Sequence, residues 1–196
     1  LNLNQWNGEK FNGTLYVHGE QGVGDQILHS SMIADLYEVH PDICLTVEER
    51  LLSLFKRSFD YINVIAYDSS LKFNVNDQHV LLASLGKFLR KSIDDFKDKP
   101  LPFIIPSQEK VENYQKSLSK FKKIKIGLSW RTTGPSSNER IVSLDKLSKI
   151  ITHEYFEFIN LQYGDTSAER ELFKEKYGKE IITIDDLDLM NDFEGI

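Results

Sequence analysis

Apolar residues come in short runs along the first part of the chain, and stretches with helical spacing separate them. Residues 13–19 (GTLYVHG) are an apolar run bounded by glycines, which predicts a buried strand. Residues 20–25 (EQGVGD) make a glycine loop. From 26 to 40 the spacing turns helical, with Leu28, Met32, Leu36 and Val39 at i, i+4, i+8 and i+11 on one stripe. Pro41 ends that helix, because its ring lacks the N–H that the next turn needs. A second strand is predicted over 42–47, a second helix over 48–59 with Leu51, Leu52 and Phe55 inward, and a third strand over 62–66. The order β-α-β-α-β predicts a parallel sheet with helices on its faces.

Residues 68–106 are less regular, with a strand predicted over 80–83 and a short helix over 85–90. The three prolines of KPLPFIIP (99–106) mark a connection. A polar, helix-favouring stretch over 108–121 reads as a bridging helix. A second unit follows. It has a strand over 123–130, a polar loop over 131–140, a helix over 143–151 with Ser143 as N-cap, and a strand over 156–162. A helix over 168–177 is closed by Gly178, and a strand over 180–184 comes last. Both units open with a strand that feeds a loop and then a helix. The second shows only three strands, where a doubly wound domain usually has five or six. The expected fold is therefore α/β with two Rossmann-like domains, the second incomplete. The expected division is an N-terminal domain over 1–106, a connecting helix over 107–122 and a partial second domain over 123–196.

Composition narrows the chemistry. The chain is 40% hydrophobic and 28% charged over 196 residues, enough apolar material for real cores. A formal charge of -6 argues against nucleic acid or an anionic membrane surface as a partner. A phosphate-bearing ligand would need a few local basic residues or backbone amides. The single cysteine, Cys44, excludes an internal disulfide and reads as a buried strand residue. No apolar run approaches the roughly 18 residues a membrane span needs. The first 13 residues hold no signal-peptide core, and the chain does not start with methionine. It reads as a piece of a longer cytoplasmic protein. The five histidines show no zinc spacing, and Asp186-Leu187-Asp188 is set aside as a metal motif because it sits in an acidic stretch after the last strand. No metal or cofactor is expected. The absence of G-x-S-x-G disfavours a serine hydrolase.

The glycine loop carries the chemistry of the first unit. Gly22 and Gly24 would let the backbone turn tightly and approach a ligand. The loop is not a dinucleotide fingerprint, since Ile27 stands where a third glycine would be needed, and no G-K-[ST] follows. Asp25 has two readings. It is either the helix N-cap, bonded to the N–H of Ile27 or Leu28, or a general base at the mouth of the sheet. The readings conflict, because a helix N-terminus stabilises the carboxylate and weakens it as a base. Glu20 and His18 are alternates for the base, with His18 reading first as a satisfied core residue.

These residues resemble a known family. Trp6-Asn7-Gly8, residues 13–19 and Glu20-Gln21-Gly22-Val23-Gly24-Asp25 look like the start of the glycosyltransferase domain found behind tetratricopeptide repeats in many bacterial proteins. That domain is similar to the family 9 glycosyltransferases (heptosyltransferases) and, more distantly, to O-linked N-acetylglucosamine transferases. KIGLSWR (125–131), RIVSL (140–144) and NLQYGD (160–165) agree in order, so the resemblance covers nearly the whole chain. It implies a GT-B fold whose first domain binds the acceptor and whose second binds a nucleotide-sugar donor. The implied chemistry is inverting, metal-free transfer of a sugar to a sugar or protein hydroxyl. Asp25 would be the base, with Glu20, Gln21, Gly22 and Gly24 forming the acceptor-side loop. Ser129, Arg131 and Arg140 would face the donor phosphates, and Gln162 and Tyr163 the nucleotide. The family's donor-diphosphate turn would follow soon after Asp192, where the chain ends, so this piece is expected to be inactive alone. Two other classes remain open: a non-catalytic binding module, and another Rossmann-type nucleotide binder such as a nucleotide-dependent isomerase.

Overall fold

The computed structural model describes residues 3–97, 99, 101–132 and 141–195. The chain forms two compact units, Leu1–Pro106 and Ser107–Ile196. The first is built on five parallel strands: β1 (Asn4–Gln5), β2 (Leu15–His18), β3 (Ile43–Val47), β4 (Asn63–Ala66) and β5 (Gln78–Leu81). Their order across the sheet is β1-β5-β2-β3-β4. The chain steps from β2 to β3 to β4 in one direction, then returns to place β5 on the other side of β2. The order therefore reverses between β2 and β5, where open α/β sheets bind ligands beyond the carboxyl ends of their strands.

Strand register assigns the two faces. Leu15, Val17, Leu45, Val47, Val64 and Val80 share one face and are buried. Tyr16, His18, Cys44, Thr46, Asn63 and His79 share the other, so this sheet carries a polar face as well as an apolar one. The return segment from β4 to β5 runs over the polar face, where Phe73 meets Tyr16 edge-on at 4.8 Å. Buried Asp77 pins its end by accepting the N–H groups of Thr14 and Asn74. Trp6, buried against Phe88 at 5.0 Å, anchors the chain just after β1.

The helix expected over 26–40 is two helices, α1 (Val23–Ser30) and α2 (Ile33–Val39). Arg90 supplies the reason. Its guanidinium donates to the Ser31 carbonyl at 2.6 Å and to Asp35 at 2.9 Å, which draws Ser31 out of the helical ladder. The apolar stripe holds at buried Met32 and Leu36 and fails at its start: Leu28 is 63% exposed, and Gln26 and Ser30 are the inward residues of α1. The second predicted helix is present as a short 3-10 turn leading into α3 (Leu52–Ser58). A second 3-10 turn after β5 leads into α4 (Gly86–Leu89).

The second unit holds α5 (Gln108–Leu118) and three parallel strands in the order β6 (Ile124–Leu128), β7 (Phe156–Asn160), β8 (Ile181–Ile182). Its helices α6 (Leu144–Ile151) and α7 (Ser167–Tyr177) enclose a core of Trp130, Leu144, Ile151, Phe158, Phe173 and Ile181. Gly178 closes α7 in the left-handed region, φ +67, as expected of a helix-ending glycine. Ser143 stands at the N-cap of α6 but its hydroxyl makes no capping bond. Lys110 of α5 pairs with Asp192. No helix among the described residues is long and apolar enough to cross a membrane.

Cys44 lies buried in β3, with the Asn63 amide donating to its sulfur at 3.5 Å. Burial pushes its thiol up to about 11, so it stays protonated at neutral pH. A disulfide-exchange reagent at pH 7.5 should label it only at the rate of unfolding, and at once in denaturant. Fast labelling of the native protein would contradict this placement.

Candidate functional site

The loop after β2 follows from a packing requirement that begins at Gly19. A Cβ at position 19 would stand 2.8 Å from the Gln26 side-chain oxygen and 3.0 Å from the Thr46 carbonyl, so only glycine fits. The turn's left-handed residue is Gln21, φ +65, and neither Gly22 nor Gly24 has a positive φ. A side chain at Gly22 would meet only Asp25 at 3.5 Å, and one at Gly24 would meet nothing within 4 Å. The tight-turn role expected of these two glycines thus belongs to Gly19 and Gln21. Gly24 instead leaves the first turn of α1 open to solvent.

Asp25 is at the third helical position, not the N-cap, which is Gly22. Its Oδ2 accepts the Gly22 N–H at 3.2 Å, and it makes no bond to Ile27 or Leu28. The carboxylate is half-exposed and sits in the first turn of α1, where the helix dipole favours its charge. Glu20 spans the switch point: its Oε1 accepts the N–H of Ala83, just beyond β5, at 3.1 Å. Two carboxylates therefore flank the loop, which disfavours a phosphate there and suits a hydroxyl-bearing ligand. His18 points to the polar face, with Nδ1 2.9 Å from the Thr46 hydroxyl. Burial, and then the neighbouring His79, hold its pKa below the ordinary histidine value, so it is neutral at pH 7.

Gln26, which sequence reasoning passed over, organises this edge. It is 1% exposed. Its oxygen accepts the N–H of Glu48 at 3.1 Å, just after β3. Its nitrogen donates to the Tyr67 hydroxyl at 2.9 Å, just after β4, and that hydroxyl in turn donates to the Gly19 carbonyl, just after β2. One amide thus ties together the ends of three strands. The spacing gave no signal for it, since position 26 lies across the helix from the Leu28 stripe.

The second unit repeats the device. Gln162 is fully buried, and its oxygen accepts the backbone N–H groups of Trp130 at 2.9 Å and Arg131 at 2.8 Å and the Ser129 hydroxyl at 3.2 Å. Its nitrogen donates to the Tyr163 carbonyl at 3.0 Å. Four of the expected donor-side residues, Ser129, Arg131, Gln162 and Tyr163, are therefore brought together, with the Tyr163 hydroxyl 3.2 Å from Thr132. Gln162 itself is turned inward, so it acts on the loop and not on a ligand. The N–H groups of Trp130 and Arg131 are spent on it. The Arg131 guanidinium donates to the Asp165 carbonyl at 2.8 Å and lies 3.8 Å from Glu169, which also accepts the Trp130 indole N–H. Arg140 lies outside the described residues.

Removing either glutamine leaves several buried groups without partners. Gln26→Ala and Gln162→Ala should each cost about 1–3 kcal/mol of stability, whereas Leu28→Ser, at an exposed site, should cost less than about 0.5. Denaturant unfolding of the three variants measures this. Equal effects would contradict the assignment of Gln26 as the inward residue.

Comparison with known proteins places the fold. No family model matches the chain. It is 31% identical over 212 aligned positions to Protein FlbA of Caulobacter vibrioides (strain ATCC 19089 / CIP 103742 / CB 15), covering 98% of this chain and 35% of that protein. The chain thus spans about a third of that relative's length. Among solved structures it is similar to the glycosyl transferase family 9 protein from Veillonella parvula DSM 2008, with a TM-score of 0.62 and 13% identity over 92% of this chain and 71% of that one. At that identity the likeness speaks for the fold alone, and the chain accordingly has a glycosyltransferase-like, GT-B-like α/β fold with five- and three-stranded parallel sheets.

Proposed function

We propose that the chain is part of an inverting glycosyltransferase, transferring a sugar from a nucleotide-sugar donor to a hydroxyl acceptor, with 1–106 on the acceptor side, 107–122 connecting and 123–196 on the donor side. One observation carries the reading: a half-exposed carboxylate, Asp25, stands in the first turn of the helix that follows the first long strand, beside the place where strand order reverses. Asp25 is the base. One of its oxygens accepts the Gly22 N–H, and the carboxylate takes the proton as the attacking hydroxyl becomes acidic in the displacement. In the same step the acceptor oxygen bonds to the anomeric carbon and the donor's nucleoside diphosphate leaves with the electron pair of the broken bond.

The loop's two carboxylates, Glu20 and Asp25, support an uncharged acceptor and count against a nucleotide phosphate at that point. On the donor side, Gln162 takes up the backbone amides that a diphosphate would otherwise use. Charge on the leaving group therefore falls to the guanidinium groups of Arg131 and Arg140, the Ser129 hydroxyl being given to Gln162 as well. Tyr163 borders the nucleotide. In the family resemblance this domain stands behind tetratricopeptide repeats, and we extend that arrangement to the parent of this chain, which we read as cytoplasmic from its polar first residues.

Nucleoside diphosphates and nucleotide sugars titrated into the full-length protein should show binding of at least one donor. Asp25→Asn keeps an oxygen for the Gly22 N–H, so it should fold normally and bind donor within about twofold. It should lose about 10²-fold or more of transfer rate. A binding-only module would bind no donor at all. Unchanged turnover in Asp25→Asn would remove Asp25 as the base.

A further inference from the structure

The polar face of the five-stranded sheet is not used by the loop that carries Asp25, and it holds a cavity of its own. The cavity is about 390 Å³, within the range of small-molecule sites. It lies beyond the carboxyl ends of β2, β3 and β4 and is roofed by the return segment to β5. Tyr67, Leu71 and Phe73 give it apolar walls, and Thr46, Asp68, Ser69 and His18 supply polar groups.

We propose that this cavity is a subsite for a neutral sugar ring. The lining chemistry selects that ligand. Among the described residues no lysine or arginine lines it, so none of them offsets the charge of a phosphate. A single carboxylate, Asp68, is too few for a cation site but suits a pair of ring hydroxyls, which it would accept from. A pyranose presents an apolar C–H face and a rim of hydroxyls, and a cavity with two aromatic rings and several hydrogen-bonding groups matches both. The neutral state of His18, set by its burial and by His79 with ring centroids 5.8 Å away, keeps positive charge off the wall. Nε2 of His18 and Nδ1 of His79 lack hydrogen bonds among the described residues.

Four of the lining residues are held by contacts to other side chains or backbone. Tyr67 is held by Gln26 and the Gly19 carbonyl, Thr46 by the His18 imidazole, and Phe73 by Tyr16. Asp68 is braced by the Ser70 N–H at 2.7 Å, and its hydrogen bonds to Ser70 hold the carboxyl below the usual carboxylate range, hence ionised. The site rests on the transferase reading only for its role, which would be to seat the acceptor or the residue next to the one that reacts.

The test uses simple methyl glycosides with the whole protein and needs no nucleotide. Saturation-transfer NMR and titration should find at least one glycoside with a millimolar Kd, and inorganic phosphate should not compete. Leu71→Trp, which fills the cavity, and Asp68→Ala, at an exposed position, should each weaken that binding by about tenfold with unfolding midpoints unchanged. Absence of binding for every glycoside to about 50 mM, displacement by phosphate, or binding unmoved in both variants overturns the subsite. Glycoside binding in a full-length protein that transfers no sugar would leave the subsite standing and remove the transferase reading. Transfer that is indifferent to both variants, with glycoside binding weakened in them, would keep the subsite and remove its role in seating the acceptor.

Discussion

Two buried glutamines hold the strand-exit loops of this protein. An amide in a dry interior is costly unless all its polar atoms are paired, and each of these is paired with groups at the ends of parallel strands. Gln26 reaches from α1, and Gln162 from the turn after β7, yet they act alike. Each takes strand-exit backbone that would otherwise be free to wander and gives it one geometry. Aliphatic side chains could fill the same volume, but they could not choose between loop conformations. The specificity of both loops comes from directed hydrogen bonds laid over cores that are otherwise apolar.

That constraint shapes the chemistry on offer. In the first unit the clamp leaves Asp25 half-exposed on a short helix whose start already favours a negative charge. In the second unit the clamp consumes two adjacent backbone donors, which removes the ready-made anion nest found after many first strands. Glu169 further competes for Arg131. The geometry therefore assigns different tasks to the two strand-loop-helix segments, although their sequences look alike in outline.

The fold was legible because its signal is redundant: each buried strand is a short apolar run, and the alternation with helices repeats. Local offsets came from long-range contacts that spacing cannot show. The 26–40 stripe reads as one helix because nothing near Ser31 hints that Arg90, far along the chain, will take its carbonyl. Leu28 reads as core because the register of α1 is set by Gln26 folding inward, a choice made by Glu48 and Tyr67. At the candidate site, Asp25 was visible as a residue, but its position within the helix was not, since Gly22 caps without a side chain. The polar face of the sheet escaped notice for a similar reason. Alternation in Leu15-Tyr16-Val17-His18 is visible only once the pairing with Cys44, Thr46 and His79 places these residues side by side.

The close approach at Gly19 has a consequence for how such sequences can diverge. Residue 26 can keep its long amide only while position 19 has no side chain, because both claim the space beside the Thr46 carbonyl. Any lineage that gains a methyl group at 19 must shorten residue 26 in the same step, and would then have to find another tether for Tyr67. Positions 22 and 24 face no such rule. The informative pair for tracing descent is therefore 19 with 26, even though the eye goes first to the two glycines between them.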